Sequence, residues 1–341
     1  MNTDQVRLKP DTTYGGATHG GVPFVSIVVT ARHDNYGGDV TERIVKPLQF
    51  NAARLSERGI DYEVVLVEWD PLPGRPHLSE VLATHIPDLT TRTIRRIIVA
   101  PEYQAALTQN PHPFYLEYLA KNVGIRRAAA PFVLVSNIDI MLGRAVVDTL
   151  AGGALVAGTV YRAPRYDIKI GVDQTGLTWD ALEDPANHAH RSVLRPPLYS
   201  HGSGDFLLAD RDTFHRLRGF NEIYRVARVG IDMNFLAKAY GAGHRIEEIP
   251  GPVYHTNHVG SFRISKTAPA DGSAESSWGI TDWPARHVTY NNPDGWGLGD
   301  APSRQAPDGT TFLDFDWRAV PPLVELRRLM QPSRQAAAES T

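Results

Sequence analysis

The sequence predicts an α/β protein with a mostly parallel central sheet covered by helices on both faces, and three observations predict it. Four runs, FVSIVVTA (24–31), YEVVLVEW (62–69), IRRIIVA (94–100) and FVLVS (132–136), are apolar without the in-and-out alternation of a half-solvated strand. Stretches of helical spacing separate them, which is the order of a sheet buried on both sides. The fourth run continues as FVLVSNIDI and so ends on a carboxylate, at the strand end where ligands collect in open sheets of this kind.

Residues 1–21 are polar and rich in Gly and Thr, and read as a mobile tail before a folded part that starts at Val22. After the first strand, DVTERIVKPLQFNAARLSERG carries Val40, Ile44, Leu48, Ala52 and Leu55 on one helical stripe closed by Gly59, with Pro47 expected to interrupt it. LSEVLATH follows the second strand as a short helix, and PFYLEYLAKNVGIRRAAA (113–130) leads into the fourth with Tyr115, Leu119 and Val123 at helical spacing. The carboxyl-end rule then aligns Thr30 to Asn35, Glu68 to Asp70 and Asn137 to Asp139 along one rim.

The second half is less regular. ALVAGTVYRA and DFLLA read as strands, DRDTFHRLR and GIDMNFLAKAYG as helices, and residues 164–200, rich in Pro, His and Asp, as a long functional loop. The expected division is a tail at 1–21, one domain at 22–262 with halves 22–150 and 151–262, and an irregular extension at 263–341 ending in the short helix PPLVELRRLM.

Composition narrows the function. A chain of 341 residues with 42% hydrophobic and 21% charged residues can bury a substantial core. The formal net charge of -3, with Lys and Arg scattered, offers no stripe for a polynucleotide backbone, so no nucleic-acid partner is expected. Cysteine is absent, which excludes disulfides and thiolate metal sites and leaves oxygen or imidazole to hold any metal. No stretch reaches the roughly 18 unbroken apolar residues of a membrane helix and no signal-type apolar core opens the chain, so a soluble cytoplasmic protein is expected.

Five segments could carry chemistry. Asn137 and Asp139 at the fourth strand's exit suit Mg²⁺ or Mn²⁺, although on spacing by itself Asp139 reads more readily as the cap of a following turn. In KNVGIRRA, Asn122 and Arg126 share a helix face and could aim donors at that rim, or form an ordinary solvated face. HGSGDFLLADRDTFHRLRGFNE has glycines that admit close ligand approach or simply make a tight turn. Asp232 opens a helix, where the dipole keeps a carboxylate ionised whether it caps or acts as a base. His255 and His258 in VYHTNH follow a strand without any helical pattern to explain them.

The order of these pieces is what identifies a pattern. NVGIRRAAAPFVLVSNID resembles the Asn-x-Gly helix and Asp-x-Asp metal segment of the GT-A glycosyltransferases, family 2 in particular. RGFNE with GIDMNFLAKAYGAGHRI resembles the Gly-Phe-Asn-Glu and Glu-Asp elements of the galactosyltransferase-type C-terminal region. The resemblance spans about residues 23–260, with two departures: Asn137 stands at the first Asp of Asp-x-Asp, and Ile231 at the Glu before the base.

The resemblance implies a GT-A fold and a metal-dependent, inverting hexosyltransferase-type enzyme, moving a sugar from a UDP- or GDP-type donor to a carbohydrate or other hydroxyl acceptor. It implies that Thr30, Ala31, Arg32 and Glu68 flank the nucleoside, and that Asn122, Arg126, Asn137, Ile138, Gly204 and Asp205 attend the donor. Asp139 with His255 or His258 would hold Mn²⁺ or Mg²⁺, and Asp232 would be the base. Trp278, Trp283 and Trp296 are candidates for an acceptor lid. The alternatives are a nucleotidyltransferase of sugar-nucleotide synthesis, against which TARHDNYGGD lacks a Gly-rich basic loop, and a non-catalytic nucleotide-sugar-binding relative.

Overall fold

The computed structural model describes residues 21–34, 38–108, 115–172, 176–223, 225, 230–256 and 292–320. In chain order the strands are β1 (Val25–Ala31), β2 (Tyr62–Trp69), β3 (Ile94–Val99), β4 (Phe132–Ser136), β5 (Ile140–Leu142), β6 (Thr159–Arg162), β7 (Arg165–Ile168), β8 (His188–Arg191), β9 (Phe206–Asp210), β10 (Arg245–Glu248), β11 (Val253–His255), β12 (Ser303–Gln305) and β13 (Thr311–Leu313). The helices are α1 (Val40–Glu57), α2 (Leu78–His85), α3 (Pro87–Arg92), α4 (Glu102–Leu107), α5 (Glu117–Arg127), α6 (Arg144–Ala151), α7 (Trp179–Glu183), α8 (Arg211–Leu217) and α9 (Ile231–Gly241).

The central sheet has the order β10-β6-β9-β4-β1-β2-β3-β13-β12. Of these strands only β9 and β12 run against the rest, so the sheet is mostly parallel as expected. Both faces are covered. Val25, Ile27, Val29 and Ala31 of β1 pack on the side of Ile44, Leu48 and Leu55 from α1, while Val28 packs on the side of Leu119 and Val123 from α5. That two-sided burial is why the strand has no polar alternation, and each large aliphatic chain buried there is worth about 1.5–3 kcal/mol.

Asp39 caps α1 by accepting from Thr41 N–H at 2.8 Å, and the helix continues through Pro47 to Glu57. α5 crosses the sheet antiparallel to β1. A Cβ at Gly124 would lie 2.5 Å from Val28 Cγ1, so glycine sets the closeness of that crossing. From β1 the chain builds β2 and β3 on one side and returns to β4 on the other. The carboxyl ends of β1 and β4 therefore bound a topological switch point.

Beyond β4 the second sheet has the order β5-β11-β7-β8. Its presence corrects the reading of residues 164–200 as one long loop, since β7, α7 and β8 fall inside that range. Short strands such as HAHR (188–191), mostly exposed and without apolar alternation, leave no periodic signal. Residues 303–313, expected as irregular extension, instead add β12 and β13 to the edge of the central sheet next to β3. All but the last residue of the expected tail at 1–21, and the helix PPLVELRRLM, lie outside the described residues. Among those described, no helix is long and apolar enough to cross a membrane.

Candidate active site

At the exit of β4, Asp139 is 4% exposed. Its Oδ2 lies 2.6 Å from Arg43 Nη2 of α1 and 3.5 Å from His255 Nε2 of β11. Strand register explains the second contact. His255 pairs with Ile140, the residue after Asp139, on one side and with Asp167 of β7 on the other. Asp167 Oδ1 lies 3.0 Å from His255 Nδ1, which turns the ring so that Nε2 faces Asp139. Burial opposes charge on His255, but the Asp139 and Asp167 carboxylates override it and push the imidazole up to about 9. Burial likewise opposes charge on Asp167, and the contacts to His255 and Arg165 hold it below the usual carboxylate range.

Arg165 extends the network to Asp205, with Nη1 to Oδ2 at 2.8 Å and Nε to Asp167 Oδ1 at 2.9 Å. Asp205 Oδ1 accepts from Asn137 Nδ2 at 2.7 Å, and the Asn137 amide oxygen accepts from Lys121 Nζ at 2.7 Å. Lys121, fully buried, also donates to Glu117 at 2.6 Å and to the Gly204 carbonyl at 3.0 Å. The next residue back, Ser203, places its Oγ 2.6 Å from Asp232 Oδ2 in the first turn of α9. The two acids singled out by sequence thus stand at opposite ends of one continuous polar network.

The β1 and β2 exits form a second group beside this one. Arg32 donates through Nε to Asp34 and through Nη1 to Asp70, both at 2.8 Å, and its guanidinium lies 5.9 Å from the Tyr115 ring centroid. Burial raises Asp70 against the pull of Arg32. The Tyr115 hydroxyl donates to the Thr30 carbonyl at 3.3 Å. Ala31 is buried in register with Glu68. Glu68 Oε2 accepts from Leu78 N–H at 3.0 Å and lies 3.2 Å from His77 Nδ1, so it serves the N-terminus of α2; burial raises this carboxyl, with His77 opposing. Ile138 packs against the apolar cluster on the α1 side.

Two expected donor residues sit elsewhere. Asn122 is fully buried, donating to the Phe220 carbonyl at 2.8 Å and to Glu222 at 2.9 Å while accepting from Phe220 N–H. Arg126 donates to the carbonyls of Asp294 and Trp296 and stacks on the Trp296 ring. The reason is the direction of α5. Lys121 meets Asn137 at the strand ends, Asn122 is turned about 100° round the helix from it toward Phe220 and Glu222, and Arg126, about 6 Å farther from the rim, faces the 292–299 turn. Trp296 itself is buried in that contact. His258, Trp278 and Trp283 lie outside the described residues.

Sequence reading missed Arg43, Lys121, Arg162, Arg165, Asp167 and Ser203. Lys121 carried one usable signal, the Glu117/Lys121 spacing of four residues, which marks a different face from Asn122/Arg126. Arg43 and Asp167 carried none, because their relation to Asp139 exists only through the packing of α1 against β4 and the pairing of β7 with β11.

The donor set fits a hard divalent cation. Asp139 would supply oxygen and His255, on giving up its Nε2 proton, an imidazole whose second nitrogen is fixed by a carboxylate, with water and phosphate oxygens in the remaining positions. Among the described residues no group of three His, Cys, Asp or Glu converges.

No protein-family model matches the chain. No curated protein matches it either. Solved structures do. GalNAc-T7, determined with UDP, GalNAc and Mn²⁺, is 14% identical over 70% of this chain and 45% of its own, with a TM-score of 0.46. This chain therefore spans less than half of that protein. The catalytic domain of Drosophila β1,4-galactosyltransferase 7 with xylobiose is 11% identical over 86% of this chain and 95% of its own, with a TM-score of 0.39. A variant of the same Drosophila enzyme, determined with manganese, UDP-Gal and xylobiose, has the same identity and TM-score.

Proposed function

We propose that this chain is a metal-dependent glycosyltransferase that moves a sugar from a UDP- or GDP-type donor to a hydroxyl acceptor, by a single displacement that inverts the anomeric centre. The observation that carries this reading is the polar network that runs from Asp139 through His255, Asp167, Arg165, Asp205, Asn137 and Lys121 to the Gly204 carbonyl, and from the adjacent Ser203 to Asp232, set at the carboxyl ends of β1 and β4. A rim of this kind presents one acid toward a diphosphate and the other across the same crevice toward an acceptor.

In this reading Asp232 takes the proton of the acceptor hydroxyl as its oxygen bonds to the anomeric carbon. The bond from that carbon to the diphosphate breaks, and the nucleoside diphosphate leaves with the electron pair. A positioned base commonly contributes 10²- to 10⁴-fold, on the order of 3–5 kcal/mol. Asp139 and His255 would hold the cation, which when bound would neutralise charge on the departing diphosphate. Thr30, Ala31, Arg32 and Glu68 flank the nucleoside, and Asn137, Ile138, Gly204 and Asp205 the donor sugar and diphosphate.

The test is incubation with a panel of nucleotide sugars, Mn²⁺ and simple glycoside acceptors, with nucleoside diphosphate release as readout. Release that disappears in both Asp139→Ala and Asp232→Asn is expected. Pyrophosphate release from a nucleoside triphosphate and a sugar phosphate would indicate a nucleotidyltransferase instead. Saturable donor binding without turnover for any acceptor would indicate a binding protein.

A further inference from the structure

We propose that Ser203 is a positioning residue for Asp232, with one hydroxyl hydrogen and two acceptors placed so that it serves both protonation states of that carboxyl. The inference rests on the transferase reading only in taking Asp232 as the base.

Ser203 is 0% exposed, and its Oγ lies 2.6 Å from Asp232 Oδ2 and 2.9 Å from the Ser200 carbonyl oxygen. A single hydrogen cannot donate to both. An ionised carboxylate is the stronger acceptor, so while Asp232 is charged the hydrogen points to Oδ2 and fixes the carboxylate's orientation. When Asp232 gains a proton its oxygen becomes an ordinary neutral acceptor, and the hydrogen turns to Ser200. The buried Ser203 hydroxyl therefore has an acceptor for its hydrogen in either state, where an unmet one costs about 1–3 kcal/mol.

The loop is built to hold this arrangement. Arg162 of β6, fully buried, donates through Nε to the Tyr199 carbonyl at 3.1 Å, through Nη2 to His201 at 3.2 Å and through Nη1 to Ser203 at 3.3 Å. One planar fork thereby fixes three carbonyls around Ser200 and Ser203. Tyr199 is in the left-handed region at φ 51°, a conformation the fork holds in place. The other groups facing Asp232 are Arg162, whose charge reaches it, and Tyr118 from α5, whose hydroxyl bonds to it, while Asp205 at the end of the loop acts on both of these. Burial, with Asp232 and Glu117 adding to it, raises the Tyr118 phenol well above its usual range, so it faces Asp232 as a neutral donor.

The test is carboxyl-carbon NMR titration of Asp232 in substrate-free protein, for the wild type, Ser203→Ala and Ser203→Cys. Loss of the donor to the ionised form moves the Asp232 titration upward by about one pH unit in Ser203→Ala. The weaker thiol donor of Ser203→Cys gives a smaller move in the same direction, and this variant also answers the question should Ser203→Ala fail to fold. With an active donor and acceptor pair, the acid limb of kcat/KM shifts by the same amount, and kcat falls about tenfold with donor KM unchanged. A titration that stays in place in the folded variants overturns the proposal. Because the titration needs no substrate, an absence of transfer with every donor defeats the transferase reading separately.

Discussion

Asn137 donates its side-chain amide to Asp205 Oδ1 across 2.7 Å, and its amide oxygen accepts from Lys121 Nζ at the same distance. An amide can accept from an ammonium and donate to a carboxylate at once, which an ionised Asp at this position cannot. The residue that departs from Asp-x-Asp is therefore matched to its neighbours. Asn137→Asp would set two carboxylates in hydrogen-bond contact, and is expected to lower stability by roughly 1–3 kcal/mol, read as a lower melting temperature. Mn²⁺ titration should show no gain in affinity, because Lys121 already answers the new charge.

Arg43 and Asp139 form the next prediction. The guanidinium sits 2.6 Å from the Oδ2 that a cation would use. Arg43→Gln removes the competing charge, and Mn²⁺ binding to the nucleotide-free protein is expected to tighten about three- to tenfold, ~0.7–1.4 kcal/mol. Calorimetric titration measures it, and weaker binding in the variant would show that Arg43 supports the ion site.

Gly204 is required by a neighbour. A Cβ there would lie 2.7 Å from Tyr118 Oη and 3.6 Å from Asp232 Oδ2. Gly204→Ala is expected to cost roughly 1–3 kcal/mol by overpacking. Adding Tyr118→Phe removes the atom in collision and should restore part of that loss in chemical denaturation.

Lys238 gives a pH dependence away from the site. Its Nζ, buried, donates to the carbonyls of Leu217 and Gly219 at 2.6 Å, beneath the Gly-Phe-Asn-Glu turn. Burial pushes the ammonium from 10.5 down to about 7, with Glu222 opposing. Between those values the folded state binds fewer protons than the unfolded one, so this group makes stability rise with pH; below about 7 both states are protonated and its cost is constant. Urea midpoints at pH 6.5, 8 and 9.5 should therefore rise more in the wild type than in Lys238→Met.

The legible part of the fold was the part carried by long apolar runs or by helical spacing. β1 to β4, α2 and α9 followed from apolar runs and helical spacing, because burial on two faces imposes that pattern on the residues themselves. α5 followed from the same spacing, but its facing was harder to read. Tyr118 through Ile125 are all buried, so exposure marks neither face, and only the Glu117/Lys121 spacing set the face of Lys121 apart from that of Asn122.

The site divides along the same line. The chain by itself determined which residue types stand at strand ends and helix starts, and so marked Asp139, His255 and Asp232, because local geometry and solvation act over a few residues. Only the tertiary structure decided that Arg43 and Asp167 attend the first two, that Ser203 attends the third, and that Asn122 and Arg126 turn to the C-terminal segment. Those pairings cross from 29 to 170 positions of sequence. They are fixed by how strands, helices and loops pack over the whole fold, an arrangement that leaves no trace in any short window.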